Sequence, residues 1–175
     1  MDIYKLKFTR LQRAVFRLLC IRAGSYLNQR QIAKVLKVSP TAVAKALKGL
    51  HELVAIKKQS NIILVGLNRE KAISMKRIEN LGLIYESGLQ AFLEEKFPGS
   101  AVILFGSYSL GEDVVKSDID IAVIGSSQKQ IDLANFEKLL ERPVILQFYG
   151  KFSDIDKNLK ASILNGIALS GRVEL

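Results

Sequence analysis

Apolar side chains in the first part of the chain recur at intervals of three and four, the spacing that buries one face of an α-helix. Residues 9–23 form one such stretch, and Gly24 follows it as a natural stop. A second stretch covers residues 28–38, and Asn28 can cap its start. Its expected buried face consists of Ile32, Val35 and Leu36. The pattern predicts two short helices.

A third helix is predicted to begin only a few residues later. Ser39 is a good N-cap, and Pro40 suits the first helical position because the N–H there has no intrahelical partner. The residues expected to face the core are Val43, Leu47 and Leu50. The second and third helices are therefore expected to be close neighbours along the chain.

The period changes from helix to strand after the third helix. Residues 55–67 contain two β-prone runs around a polar turn, which predicts a hairpin with Lys57 and Lys58 near its tip. Residues 68–97 return to helical spacing, and a break is expected at residues 80–82. These segments predict a connecting helix followed by the opening helix of a second domain.

The second half of the chain alternates strands and helices. Residues 101–105 are an apolar run that predicts a buried strand, and residues 117–125 alternate polar and aliphatic positions. The later segments are predicted as a helix at 132–140, a strand at 143–149 and a helix at 153–163. The expected fold class is α+β, divided into a helical and hairpin domain (1–67), a connecting helix (68–82) and a small α/β domain (83–175).

Charge is distributed unevenly along the chain. Residues 1–80 contain 17 Lys or Arg and 4 Asp or Glu, whereas the remaining residues contain 9 and 13, so balances of +13 and −4 give the net +9. A basic half suits a polyanion such as nucleic acid, and the alternative is a solubilising surface charge. No apolar stretch reaches the roughly 18 residues of a membrane span, and the N-terminus lacks a signal peptide's apolar region. With Cys20 as its single cysteine, the protein is expected to be cytoplasmic and without an intrachain disulfide.

Three helices followed by a basic hairpin resemble the winged helix-turn-helix family of DNA-binding domains. The resemblance covers roughly residues 8–67 and implies that the third helix enters the major groove of double-stranded DNA. The candidate DNA-binding residues are Thr41, Ala42, Lys45 and Lys48 on its outer face and Lys57 and Lys58 on the hairpin. The alternative is that the helices only pack against the second domain or form a dimer. Because winged helices often pair on palindromic sites, a homodimer is expected.

Residues 101–125 carry the candidate chemistry. The predicted strand at 101–105 ends at Gly106-Ser107, where a glycine lets a phosphate approach the backbone and a serine supplies a hydroxyl. Asp118 and Asp120 are expected on one face of the next strand, about 6.6 Å apart along it, where both can reach hard cations such as Mg²⁺. Two like charges at that spacing repel one another, and a bound cation removes the repulsion. A solvated strand face is the alternative reading of this pair.

The order Gly-Ser, short helix, polar loop and Ser-Asp-x-Asp resembles the minimal nucleotidyltransferases of the DNA polymerase beta superfamily. The resemblance covers about residues 84–175 and implies a small α/β domain with a mixed sheet. It implies that Gly106 and Ser107 hold the phosphates of a nucleoside triphosphate, with Ser117 as a further nucleotide-binding residue. It also implies that Asp118 and Asp120 are the catalytic residues and bind Mg²⁺, with ATP as the expected nucleotide.

The sequence departs from that superfamily at one position. Its active members usually carry a third carboxylate on the next core strand, but no acidic residue lies between Glu141 and Asp154. Gln147 is expected at the equivalent place, where an amide oxygen would hold the metal less firmly than a carboxylate. Glu112, Asp113 and Glu141 are the alternatives, if the fold brings one of them into range.

Two functions from different classes follow. One is an enzyme that transfers a nucleoside monophosphate from a triphosphate to a hydroxyl in a Mg²⁺-dependent reaction. The resemblance implies that the acceptor is a partner protein such as the toxin of a toxin–antitoxin pair. The other is a DNA-binding transcriptional regulator whose transferase-like domain binds a nucleotide without catalysis. An assembly scaffold with neither activity is the plainest alternative.

Overall fold

The structure is a computed structural model and describes residues 8–173 of the chain. Its contacts divide the chain into two compact units, Met1–Lys76 and Arg77–Leu175. The sequence at the extreme N-terminus, which predicts no signal peptide, lies largely outside the described residues. Among the helices that are described, none is long and apolar enough to cross a membrane.

The first unit begins with three capped helices, α1 (Arg10–Ile21), α2 (Gln29–Leu36) and α3 (Pro40–Lys48). Each N-cap is the residue before the helix, and its side chain accepts a hydrogen bond from a backbone N–H in the first turn. Pro40 occupies the first position of α3, as predicted. The predicted inward residues Val43 and Leu47 of α3 are buried, and so is Leu50, which follows the helix.

One predicted core residue of α2 is exposed. Val35 is 56 % exposed, while Ile32 and Ala33 are buried. The buried face is therefore centred between Ile32, Ala33 and Leu36, and Val35 lies roughly 100° away from that centre around the helix. The spacing of three residues alone placed Val35 on the wrong face because it did not count the small Ala33 as a core residue.

The hairpin of the first unit consists of β2 (Val54–Gln59) and β3 (Ile62–Leu67), joined at Ser60 and Asn61. A short strand β1 (Leu27–Asn28), which the sequence did not predict, pairs with β3 and gives the antiparallel order β1-β3-β2. Two residues are too few to show an alternating pattern. The helices and the inner face of this sheet share one hydrophobic core, so the predicted arrangement of three helices and a hairpin is confirmed.

Helix α4 (Arg69–Glu86) continues through the predicted break at residues 80–82. Gly82 lies within it and costs the helix only about 1 kcal/mol relative to alanine, which the packing of the helix overrides. The break lies instead at Ser87-Gly88, where Gly88 has φ +79° and precedes α5 (Leu89–Lys96). The connecting helix is therefore longer than the sequence predicted.

The second unit is built on a four-stranded mixed sheet in the order β6-β5-β4-β7. The strands are β4 (Ala101–Phe105), β5 (Ile119–Ile124), β6 (Val144–Tyr149) and β7 (Ile167–Ser170). Strands β5 and β6 are parallel, and the other neighbours are antiparallel. The mixed sheet and the α+β fold class are thus confirmed, although the sequence did not predict β7.

The helices of this unit cover both faces of the sheet. Between β4 and β5 lies the short helix α6 (Gly106–Leu110), and α7 (Ala134–Leu140) precedes β6. The predicted helix at 153–163 is two pieces, a 3₁₀ turn (Phe152–Asp154) and α8 (Lys157–Leu164), because Ile155 is extended and Asp156 caps a new helix.

Alternation along the central strands assigns each side chain to one of two cores. Ile119, Ile121 and Val123 of β5 pack into the core that contains α5 and α7. Ala122 and Ile124 pack on the opposite face, with Ile155 and Ile163. Because successive residues of a strand point to opposite faces, Asp120 belongs to the face of Ala122 and Ile124.

Candidate functional site

A side chain at Gly106, in the turn between β4 and α6, would collide with the carboxylate of Asp120. Gly106 has φ +71°, and a Cβ added there would lie 2.6 Å from Oδ2 of Asp120. The carbonyl oxygen of Gly106 accepts a hydrogen bond of 2.8 Å from the hydroxyl of the buried Ser109. The carboxylate of Asp120 therefore lies directly against the backbone of the Gly-Ser turn.

Asp120 is held in this position by both neighbouring strands. It pairs with Phe105 at the end of β4 and with Ile145 of β6. Burial raises the pKa of the Asp120 carboxyl, and the negative charge of Asp118 raises it further. Both causes disfavour the charged form, and a nearby cation would favour it.

Asp118 lies just outside the strand on which it was predicted. Strand β5 begins at Ile119, so Asp118 is the last residue of the preceding loop, and its side chain is exposed. Its charge nevertheless acts on Asp120. The two carboxylates thus differ in setting, one exposed at the end of a loop and one half-buried within the sheet.

Ser107 and Ser117 both take part in the backbone geometry that leads to the carboxylates. The carbonyl oxygen of Ser107 accepts hydrogen bonds from the N–H groups of Glu112 and Asp113, at 2.9 and 3.3 Å. The hydroxyl oxygen of Ser117 accepts a bond of 3.0 Å from the N–H of Val114, and the N–H of Ser117 donates to Val114 at 2.8 Å. Ser117 therefore closes the turn that precedes Asp118, a role that the sequence did not indicate.

The sheet register corrects the expected third position. The residue directly beside Asp120 on β6 is Ile145, whereas Gln147 pairs with Ala122. Gln147 shares the face of Asp120 but lies about 6.6 Å further along the strand, and its Oε1 accepts a hydrogen bond from the Tyr149 hydroxyl. Ile145 is 41 % exposed, so the β6 residue beside Asp120 carries an apolar side chain and no carboxylate.

The three alternative carboxylates differ in accessibility. Asp113 is fully buried and engaged with Asn80 and Arg142, which removes it as a ligand. Glu112 and Glu141 are exposed. Within residues 8–173, the structure contains no group of three or more His, Cys, Asp or Glu side chains able to hold a metal ion. The candidate site therefore has two carboxylates.

The predicted DNA-binding residues lie on α3 and on β2. Thr41, Lys45 and Lys48 are exposed on α3, and Ala42 is half-buried. Lys57 and Lys58 are exposed on β2, and because they are consecutive they point to opposite faces of the hairpin. The ammonium group of Lys57 lies 4.2 Å from the centre of the Tyr26 ring.

A cavity of about 410 Å³ lies between the hairpin and the helices of the first unit. Its lining comes from the start of α2, the start of α3 and the hairpin tip: Asn28, Gln29, Arg30, Pro40, Asn61, Ile62 and Ile63. Arg30 was not among the predicted DNA-binding residues. The outer-face argument was applied to α3 alone, and Arg30 lies on α2.

Residues 87–169 match the family model of the nucleotidyltransferase domain. The match contains the Gly-Ser turn, both carboxylates and nearly all of the four-stranded sheet, so this part of the chain is similar to that domain. No curated protein is significantly similar to the chain. Among solved structures, that of a mutant of Lactococcus lactis ZitR aligns with 28 % identity over 55 % of this chain, with a TM-score of 0.41. The alignment covers 65 % of that chain, slightly less than two thirds.

Proposed function

We propose that the protein is a DNA-binding nucleotidyltransferase that moves a nucleoside monophosphate from a triphosphate to a hydroxyl group. The single observation that carries the proposal is the contact between the Asp120 carboxylate and the backbone of Gly106. It puts an anionic metal ligand beside a turn that a phosphate can approach. The similarity of residues 87–169 to the nucleotidyltransferase domain supports the same reading.

The two carboxylates suit a magnesium ion held partly by its nucleotide. Mg²⁺ is usually bound through one or two carboxylates, while waters and substrate phosphates complete its octahedral shell. The raised pKa of Asp120, caused by burial and by Asp118, is what a bound cation would lower again. Such an ion, when bound, would neutralise the charge that develops on the transferred phosphoryl group.

The residues of the chain supply position and selectivity. Gly106 leaves the turn open to the phosphates, and the hydroxyls of Ser107 and Ser117 can donate hydrogen bonds to phosphate oxygens. Asp120 is fixed between two strands, so its carboxylate needs little rearrangement when a ligand binds. Preorganised groups of this kind contribute more to binding and catalysis than mobile ones.

The proposal also includes an acceptor, which the family resemblance implies, and double-stranded DNA as a second partner. The acceptor is a hydroxyl on a partner protein, as in the toxin–antitoxin pairs of the resembling family. The basic first unit binds double-stranded DNA through α3 and the hairpin, where Thr41, Lys45, Lys48, Lys57 and Lys58 are all exposed. A homodimer would present two such surfaces to a palindromic site.

Calorimetric titration with ATP tests the nucleotide part of the proposal. Wild-type protein is expected to bind ATP in the presence of Mg²⁺ and to bind it much more weakly in EDTA. The double variant Asp118→Asn/Asp120→Asn is expected to lose the difference between the two conditions. Equal binding by wild type and variant under both conditions would refute a metal-bound nucleotide at this site.

A second candidate function is favoured by Ile145. With an isoleucine beside Asp120 and two carboxylates in the site, the domain would bind a nucleotide without activating an attacking hydroxyl. The protein would then be a transcriptional regulator that senses the nucleotide. Incubation with Mg²⁺ and α-labelled ATP separates the two, because only the transferase labels itself or a partner protein.

A further inference from the structure

A buried polar cluster lies beside the candidate site. Its members are Asn80 of α4, Asp113 of the loop after α6 and Arg142 before β6, and none is more than 3 % exposed. Asn80 Nδ2 donates to Asp113 Oδ1 at 2.7 Å and to the carbonyl oxygen of Tyr108 at 2.9 Å. Arg142 Nη2 lies 3.6 Å from Asp113 Oδ2. The amide of Asn80 and the ion pair between Asp113 and Arg142 are thus buried together.

The cluster joins three segments that border the site. Tyr108 follows Ser107 in α6, so Asn80 holds the helix that begins with the Gly-Ser turn. Asp113 belongs to the loop that leads to Asp118, and its own N–H donates to the carbonyl of Ser107. Arg142 precedes Pro143. The carbonyl oxygen of Pro143 accepts a hydrogen bond of 2.9 Å from the N–H of Ile119, the residue between Asp118 and Asp120. Each segment therefore ends within a few residues of a candidate ligand.

Stability alone does not explain these residues. Burying a carboxylate and a guanidinium has a desolvation cost that their attraction often fails to offset, and apolar residues of similar volume are frequently as stable or more stable. A buried polar network specifies one geometry more strictly than apolar packing does, because each bond has a preferred direction. Because the cluster lies beside the site, its fixed geometry can hold the ligand-binding groups in place.

We propose that Asn80, Asp113 and Arg142 are positioning residues for the metal-bound nucleotide. By fixing α6, the loop and the start of β6 together, they set the distance between the Gly-Ser turn and the two carboxylates. The inference rests on the proposed function, which supplies the ligand, but none of the three side chains has to touch that ligand.

Replacing these three side chains together by apolar residues separates positioning from stability. The triple variant Asn80→Leu/Asp113→Leu/Arg142→Met is expected to unfold in urea at or above the wild-type midpoint. Its dissociation constant for Mg²⁺–ATP is expected to rise at least about tenfold, since a small misplacement of binding groups is costly. A merely structural role predicts that binding follows stability. A stable triple variant that binds within about twofold of wild type would overturn the proposal.

A single variant keeps the inference testable if the triple variant does not fold. Asn80→Asp is nearly isosteric but places acceptor oxygens against the Tyr108 carbonyl and the Asp113 carboxylate. Amide hydrogen exchange is expected to accelerate at Gly111, Glu112 and Asp113, whose N–H groups bond to Ser107 and Tyr108, while the amides of β6 remain protected.

The matched control is Asn165→Asp. Asn165 is exposed and directly follows α8, and its side-chain amide donates a hydrogen bond of 2.9 Å to the carbonyl oxygen of Ala161. The substitution is expected to leave both exchange and ATP affinity unchanged. Unchanged exchange at residues 111–113 in Asn80→Asp would overturn the positioning role. Because exchange is measured without nucleotide, this result holds even if wild type binds no ATP, an outcome that would refute the proposed function instead.

Discussion

The two candidate binding surfaces of the protein differ in how their residues are held. The lysines of α3 are exposed side chains on a helix whose opposite face is buried, so each reaches solvent independently of the others. Asp120 of β5, by contrast, lies against Gly106 at the start of α6. A single added methyl group can therefore disrupt the Asp120–Gly106 site, whereas the basic surface of α3 can only be weakened charge by charge.

The largest effect is expected from Gly106→Ala. The new Cβ would push the Asp120 carboxylate out of the turn, and the positive φ disfavours any side chain. Calorimetry should show a loss of Mg²⁺–ATP affinity on the order of 100-fold, and urea denaturation a stability loss of about 1–3 kcal/mol.

Gly82→Ala is the matched control. A Cβ there meets no atom within 4 Å, and Gly82 lies inside α4. The change should therefore stabilise the protein by about 0.5–1 kcal/mol and leave ATP affinity unaltered. If both alanine variants bind ATP as wild type does, the close contact at Gly106 has no functional meaning.

A graded effect is expected on the basic surface. Lys45→Ala/Lys48→Ala should lower affinity for duplex DNA, and each lost phosphate contact should reduce the slope of log K against log salt by about 0.9. Fluorescence anisotropy of a labelled duplex over a range of salt concentrations measures this slope. Lys71→Ala, an exposed lysine of α4, is the control. A wild-type protein that binds no duplex even at low salt would contradict the DNA-binding role.

A smaller, opposite effect is expected from Ile145→Asp. It places a third carboxylate directly beside Asp120 and should strengthen Mg²⁺ binding and nucleotide transfer by about tenfold. Gln147→Asp is the control, because it adds the same charge beside Ala122. Labelled ATP measures transfer in both. Equal rates in the two variants would mean that the position beside Asp120 is not a metal position.

Local signals predicted the parts of this structure that local interactions determine. Asn28 and Ser39 cap their helices as expected because a side-chain oxygen and a nearby N–H decide the cap. The alternation around Asp120 likewise predicted which of its neighbours are buried, since a strand has a period of two. The Gly-Ser turn and Asp120 belong to this class, whereas Asp118 lies in the loop just before the strand on which it was predicted.

Features that depend on distant partners were not predictable in this way. The register of β6 against β5, which puts Ile145 and not Gln147 beside Asp120, is set by two strands about 25 residues apart along the chain. Strand β7 exists because β4 offers it an edge. Asn80 and Asp113 meet across 33 residues, and no spacing rule connects them.

The smallest expected effect is a pH dependence of stability that comes from the Asp120 carboxyl. Burial and Asp118 raise the pKa of Asp120 in the folded protein above its ordinary value of 3.8. The folded state then holds its proton more tightly than the unfolded chain does, so the contribution of Asp120 to stability is present below 3.8 and is lost as pH rises through the folded pKa. Asp120→Asn, which cannot ionise, should therefore be slightly more stable than wild type at neutral pH without metal, and the difference should shrink as pH falls toward 3.8.

Added Mg²⁺ should narrow this difference in stability as well, because the ion favours the charged carboxylate that only wild type carries. Urea midpoints of both proteins across this pH range, with and without Mg²⁺, measure the effect. A difference in stability that grows toward acid pH would contradict the raised pKa assigned to Asp120.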